Sequence, residues 1–175
     1  LLIFDSLKTR FPKKYLYDSP SVVVGVSESD IEKYGWPIDD KYLLNTIQKL
    51  DKAQSSSIVL DLYRNVGVGK GAKSLANYSR SNKKVISIFN VAEGISSIPD
   101  FPLERTAFND MPIDIDNVVR RDLVGVNRRK FKLGKEFVSV PMRMLEIHQS
   151  LNKKNFNLEE KFYKNEISVI QNYSG

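Results

Sequence analysis

A glycine-rich segment at residues 67–74 is the stretch of this sequence whose residue types most suggest chemistry. It reads Gly-Val-Gly-Lys-Gly-Ala-Lys-Ser and lies between a run typical of a buried strand and a run typical of a helix. Backbone amides cradle phosphates in this context. A phosphate-binding loop requires glycine immediately before its lysine, and Ala72 takes that place. A plain loop between strand and helix is therefore favoured, with nucleotide binding as the alternative.

Asp61 is a carboxylate inside the apolar run of residues 58–63. A lone charge is costly to bury, so one interpretation pairs it with a neighbouring amide or with Arg64. The other places it at the carboxyl end of its strand, where open α/β sheets bind their ligands. The structural pairing is favoured, and the ligand-binding role stays open.

Other residues that could do chemistry favour structural interpretations. Asp114, Asp116 and Asn117 alternate as in a calcium loop, but the glycine and the distal glutamate of that loop are missing. A tight turn accounts better for them. The single histidine, His148, has no serine or carboxylate partner in the sequence, and there is no cysteine. We therefore predict no catalytic residue, no metal and no cofactor.

Aromatic and basic residues provide two further candidate surfaces. Tyr34 and Trp36 flank Gly35 and either line a ligand site or pack on the edge of a sheet. Arginine pairs at residues 120–121 and 128–129 suit the phosphates of nucleic acid or lipid, yet no stacking aromatic residues stand between them. A solvated face is the favoured interpretation of these pairs.

The elements that must position these residues alternate between strands and helices. Residues 21–26, 58–63 and 85–89 are apolar, β-branched runs that predict strands buried on both faces. Between them, the pattern predicts a short helix from a capping box at residues 29–32 to Gly35. Two more helices are predicted, one capped by Asp39 or Asp40 and one after the glycine-rich segment.

This alternation predicts right-handed parallel crossovers. We predict an α/β fold with a βαβαβ start, a mainly parallel central sheet and helices on both faces. In the second half, residues 92–117 predict a long loop, and residues 118–137 predict an antiparallel β-ribbon of two strands. A helix follows from Ser139 or Pro141, and residues 167–170 form a last strand. Residues 1–175 are interpreted as a single domain.

The overall composition is that of a globular domain. The 175 residues are 41% hydrophobic and 27% charged, with a net charge of +6. This charge suits anionic partners or an anionic membrane surface. The sequence contains no run of about 20 apolar residues, the length that a membrane span requires.

Several segments together resemble one family in their order and spacing. Residues 21–37 read SVVVGVSESDIEKYGWP, residues 58–62 read IVLDL, and residues 114–121 read DIDNVVRR. With residues 137–141 and 170–175, they are similar to the type-two CHASE domain, the cyclase- and histidine-kinase-associated sensory extracellular domain. The similarity covers roughly residues 3–175. The chain departs from the family pattern at a few positions, namely Ser27, Ile38, Asp39 or Asp40, and Asn117.

The resemblance implies an extracytoplasmic sensor of a bacterial membrane receptor, tethered by flanking helices and controlling a cytoplasmic kinase or nucleotide cyclase. It implies no nucleic-acid partner. It leaves open whether the domain forms a homodimer and whether the stimulus is a small molecule or a protein. The family usually continues beyond the final glycine, so we expect that the domain is truncated at this end or that its remainder has diverged. The alternatives are a nucleotide-binding enzyme that uses residues 67–74 and a basic nucleic-acid-binding module.

A ligand site is expected at the carboxyl ends of the strands, with a second candidate around the arginines that follow the aspartate turn. The candidate ligand-binding residues are Ser27, Trp36, Asp61, Asp116 and Arg120.

Overall fold

The computed structural model describes residues 21–119, 121–126, 137–152 and 167–171. A short 3-10 turn, Leu103–Arg105, precedes the third strand. In chain order, the helices and strands of the described residues are α1 (Glu28–Tyr34), α2 (Asp40–Lys52), β1 (Ile58–Leu60), α3 (Ala72–Ser81), β2 (Val85–Phe89), β3 (Thr106–Phe108), β4 (Arg121–Val126), β5 (Phe137–Val138), α4 (Val140–Asn152) and β6 (Ile167–Gln171).

The first three strands form a parallel sheet with β2 in the centre. Helices α2 and α3 cover one face, where Leu43 and Leu75 pack against Leu60. Helix α4 covers the other face, where Ile147 packs against Ile86. The predicted α/β fold, with a parallel sheet and helices on both faces, is confirmed.

Strand β2 is buried along its whole length because both of its faces are covered. This explains why residues 85–89 show no alternation of apolar and polar side chains. The one polar residue of the strand, Ser87, accepts a hydrogen bond at its hydroxyl from the Ile98 amide at 3.2 Å. Its burial therefore leaves no unpaired group.

The strand predicted at residues 21–26 is wrong. These residues belong to no helix or strand, and Val22 and Val23 are 84% and 92% exposed. The third place in the parallel sheet is taken instead by Thr106–Phe108, which lies within the predicted long loop. A β-branched run shows that a segment can form a strand, but it does not show which segment pairs with the free edge of a sheet.

Two predicted boundaries also change. Strand β1 ends at Leu60, three residues earlier than predicted. The capping box of α1 uses Ser27 and Asp30: the Ser27 hydroxyl accepts from the Asp30 amide at 3.3 Å, and the Asp30 carboxylate accepts from the Ser27 amide at 2.9 Å. The predicted helix end at Gly35 is confirmed, and of the two predicted caps of α2 the structure uses Asp39.

A second sheet follows in the order β5-β4-β6, with antiparallel pairing on both sides of β4. Strand β6 confirms the predicted last strand. Residues 127–136, which would join the two strands of the predicted ribbon, lie outside the described residues, so the ribbon stays a prediction. The second sheet adjoins the first because Ser139 forms a parallel bridge with Phe108.

The guanidinium of Arg105 closes the carboxyl end of α3. Its Nη1 donates to the carbonyl oxygens of Ser79 at 2.8 Å, Asn82 at 2.5 Å and Val85 at 3.1 Å, and its Nη2 donates to that of Arg80. Carbonyls at a helix end lack intrahelical partners, and a cation there is favourable. Burial lowers the pKa of Arg105 from its ordinary value.

We expect Arg105→Met to lower the free energy of unfolding by about 2–6 kcal/mol, because the two buried carbonyls, those of Ser79 and Val85, each lose a donor at about 1–3 kcal/mol. Urea denaturation measures this loss. The matched control is Arg80→Met, since Arg80 pairs with a carboxylate of Asp100 that is 90% exposed. The control should change the free energy by less than about 1 kcal/mol, and equal losses in both variants would contradict the assignment.

Candidate functional site

Polar side chains follow each strand of the parallel sheet at its carboxyl edge. Asp61 comes directly after β1, Asn90 directly after β2, and Asn109 directly after β3. The three strands are parallel, so these residues meet at one edge of the sheet. Ligands of open α/β sheets bind outside the carboxyl ends of the strands.

The Tyr63 hydroxyl joins two of these residues, Asn90 and Asn109. It donates to Asn109 Oδ1 at 2.9 Å and accepts from Asn90 Nδ2 at 3.1 Å. Asn109 Nδ2 in turn donates to Asp61 Oδ1 at 3.3 Å. These four residues, Asp61, Tyr63, Asn90 and Asn109, are called the carboxyl-edge network below.

The loop after β2 is held at the same edge by hydrogen bonds from its backbone amides to the side chains of Asn90 and Asp110. The Asp110 carboxylate accepts from the amides of Val91 and Ala92, both at 2.9 Å. The Asn90 side-chain oxygen accepts from the Glu93 amide at 2.7 Å. The loop is therefore fixed by carboxylate and amide side chains at the same edge.

The carboxyl-edge network combines donors and acceptors at one edge of the sheet. Asp61 is exposed, whereas Tyr63, Asn90 and Asn109 are half-buried. Such a set can bind a polar molecule through several directed hydrogen bonds. Among the described residues, no group of three or more histidine, aspartate or glutamate side chains could hold a metal ion.

A buried ion pair organises the same edge beside β1. Arg64 Nε donates to Asp40 Oδ1 at 2.7 Å, and both side chains are more than 90% buried. Arg64 also donates to the carbonyl oxygens of Ile38 at 3.0 Å and Tyr63 at 2.9 Å. A buried charge pair is tolerated when additional hydrogen bonds satisfy its remaining groups, as they do here.

The glycine-rich segment at residues 67–74 binds the chain's own carboxylates. The Val68 amide donates to Asp40 Oδ2 at 2.9 Å, and the Lys70 amide donates to Asp39 Oδ2 at 2.8 Å. Gly69 has a φ of +63°, and a Cβ there would lie 2.3 Å from Asp39 Oδ2. These two amides, which would face a phosphate in a nucleotide-binding loop, already have anionic partners.

Asp39 caps α2 and joins it to this segment. Its Oδ1 accepts from the Lys41 amide at 2.8 Å. Hydrogen bonds from the amides of Lys41 and Lys70 hold the pKa of Asp39 below its ordinary value. The ionised form of Asp39 is therefore the one that the folded chain prefers.

The structure places the first three predicted ligand-binding residues at different points. Asp61 belongs to the carboxyl-edge network. Trp36 is 58% exposed in the turn between α1 and α2, and this turn is tied to the same edge because Arg64 donates to the Ile38 carbonyl. Ser27 is engaged in capping α1 through Asp30.

The other two predicted residues belong to the second candidate site. Asp116 lies in an exposed turn in which the Asn117 amide donates to the Asp114 carbonyl at 2.9 Å, and Asn117 adopts a φ of +60°. This confirms the predicted tight turn. Arg120 lies outside the described residues, so the ligand-binding role of this segment stays a prediction.

Sequence reasoning missed Tyr63, Asn90, Asn109 and Asp110. Asn109 and Asp110 follow β3, a strand of only three residues that lies within the predicted long loop. Asn90 was visible as the first polar residue after a correctly predicted strand. The rule that polar residues following parallel strands converge could have found it.

The fold and its edge define an α/β domain whose polar residues converge at the carboxyl ends of parallel strands. The family model of the CHASE2 domain matches residues 1–174, and the chain belongs to this family. CHASE2 domains are sensor domains of signalling receptors and are typically extracellular. No curated protein and no solved structure matches the chain.

None of the described helices has the length and apolar character needed to cross a membrane.

We expect Asp39→Asn to lower the free energy of unfolding at neutral pH and to lose this effect in acid. A depressed pKa in the folded state contributes stability above the ordinary pKa of aspartate, and this contribution disappears as the pH falls through the folded value. Urea denaturation at neutral pH and at a pH below the lowered pKa of Asp39 measures the difference.

The control for this measurement is Asp100→Asn, at a side chain that is 90% exposed. It should leave the free energy of unfolding nearly unchanged at both pH values. A penalty for Asp39→Asn that persists unchanged in acid would show that the ionised carboxylate is not what stabilises the cap.

Proposed function

We propose that the chain is the extracytoplasmic input domain of a bacterial membrane signalling receptor. In this proposal it has no catalytic activity of its own and controls a cytoplasmic kinase or nucleotide cyclase. The family match over residues 1–174 is the observation that carries the proposal. The carboxyl-edge network supports it, because it offers several hydrogen-bonding groups to a polar ligand.

The stimulus in this proposal acts at the carboxyl-edge network. The members of the network follow the ends of all three parallel strands. The Tyr63 hydroxyl joins Asn90 to Asn109. A polar ligand that contacts the network replaces some of these hydrogen bonds. If it binds one arrangement of the three loops better than another, it shifts the balance between them.

Asp61 is the sequence candidate that we propose as a direct ligand contact. Its side chain is exposed, and one oxygen is 3.3 Å from Asn109 Nδ2. It can therefore accept further donors from a polar ligand. Trp36, Ser27, Asp116 and Arg120 are candidates of lower rank in this proposal.

The extracytoplasmic location can be tested by cysteine labelling of the complete gene product. The chain contains no cysteine, so Ile115→Cys introduces a unique thiol here, at a fully exposed side chain. Any cysteines elsewhere in the gene product are first replaced. A membrane-impermeant maleimide added to intact cells, with the outer envelope made permeable, should label this variant.

The control is Leu75→Cys, because Leu75 is 1% exposed and should react only after denaturation. Labelling of Ile115→Cys that requires lysis of the inner membrane would contradict the extracytoplasmic location. The same result would favour the alternatives that were left open by the sequence.

The sensory role can be tested by the output of the complete protein reconstituted in membranes. Tyr63→Phe removes the hydroxyl that joins Asn90 to Asn109. This hydroxyl makes two hydrogen bonds. A difference of one of them between the two output states is worth about 1 kcal/mol, so the ratio of output states should change by about fivefold. Kinase or cyclase activity at equal abundance measures this change.

Asp100→Asn is the matched control, because Asp100 contacts Arg80 at the opposite end of α3 from the network. It should leave the output unchanged. Unchanged output in Tyr63→Phe would exclude the network as the input site, whereas the labelling result would still stand on its own.

A further inference from the structure

Three aromatic side chains are exposed together where α1 ends and α2 begins. Tyr34, Trp36 and Tyr42 are 38%, 58% and 43% exposed. The rings of Tyr34 and Tyr42 are in contact, with centroids 4.6 Å apart and planes tilted by 49°. The Lys33 ammonium lies 4.9 Å from the centroid of the Tyr34 ring. These four residues are called the aromatic patch.

Two of the three acidic residues of α1, Glu28 and Glu32, lie away from the aromatic patch. Glu28 and Glu32 are four residues apart and share one face of the helix. Tyr34 follows Glu32 by two positions, which places it about 200° further around the helix axis. The Asp30 carboxylate, on the side of Lys33, is engaged with the amide and hydroxyl of Ser27.

The acid nearest to the patch on the α2 side is also engaged. Asp39 accepts hydrogen bonds from the amides of Lys41 and Lys70. The side chain of Lys41, next to Tyr42, is exposed. The patch therefore combines large amphipathic rings with ammonium groups, and its neighbouring carboxylates have partners.

We propose that the aromatic patch docks on the surface of an anionic lipid bilayer. Tryptophan and tyrosine place an apolar ring and a polar atom at the level of lipid headgroups. Lysine ammonium groups are attracted by anionic headgroups, and the net charge of +6 adds to this attraction. The proposal goes beyond the sensory function, and vesicles test it without the rest of a receptor.

A second copy of the chain fits the aromatic patch less well. In a two-fold symmetric dimer the same patch lies on both sides of the contact, so the Lys33 ammonium groups would approach each other. The buried centres of protein interfaces are also depleted of lysine. Lipid phosphates, in contrast, supply the opposite charge directly.

Trp36 makes the test specific, because it is the only tryptophan of the chain. The 175-residue protein is mixed at low salt with vesicles of phosphatidylcholine alone or with phosphatidylglycerol added. With anionic vesicles the tryptophan emission should shift to shorter wavelength, and lipids with brominated acyl chains should quench it. Phosphatidylcholine alone should give a much smaller shift.

Variants that keep Trp36 identify the surface. Lys33→Gln should weaken partitioning into anionic vesicles by about fivefold, the contribution of one basic residue near such a surface. Tyr34→Ser combined with Tyr42→Ser should weaken it further. Ile115→Ser changes a fully exposed apolar side chain outside the patch and should have no effect. Circular dichroism confirms that each variant is folded.

Three outcomes would overturn the proposal. The first is an unchanged tryptophan spectrum of the folded protein with anionic vesicles at low salt. The second is vesicle binding by sedimentation without any change in the emission of Trp36, which would place the contact elsewhere. The third is a spectral shift that depends on protein concentration without lipid, which would show that a second copy covers the patch.

Discussion

The buried ion pair between Arg64 and Asp40 is the interaction on which the carboxyl edge of the sheet depends. It joins the first residue of α2 to the segment that follows β1, and the same two side chains bind the Ile38 carbonyl and the Val68 amide. Removing either partner would leave a buried charge without compensation, which costs several kcal/mol. The turn before α2, the end of β1 and the glycine-rich segment are therefore held as one unit.

This unit divides the edge into two parts with different roles. Beside β1, the amides of the glycine-rich segment are occupied by Asp39 and Asp40, so the segment stabilises the fold. At the ends of β2 and β3, the amide side chains of Asn90 and Asn109 bond to the Tyr63 hydroxyl, and Asn109 also bonds to the exposed Asp61. Only the second part combines solvent access with several groups that can exchange partners, which is what ligand recognition requires.

The proposed sensory site and the aromatic patch are each linked by a backbone hydrogen bond to Arg64 of the same ion pair. Tyr63 belongs to the carboxyl-edge network, and its carbonyl accepts from Arg64. The turn that carries Trp36 ends at Ile38, whose carbonyl also accepts from Arg64. A membrane surface at the turn of Trp36 and a polar ligand at the network would thus bind two segments that are both hydrogen-bonded to the Arg64 guanidinium. Signalling through them would still require two arrangements that the ligand distinguishes.

The sequence by itself determined the α/β class, the cores of β1 and β2, the caps at Gly35 and Asp39, the turn at Asn117, and the family, because each depends on local residue type or on a linear order of motifs. Only the tertiary structure decided that Thr106–Phe108 enters the sheet while residues 21–26 do not, and that Tyr63 joins Asn90 to Asn109. Edge pairing and contacts between residues distant in sequence depend on which segments become neighbours. The periodicity of a single segment carries no information about that.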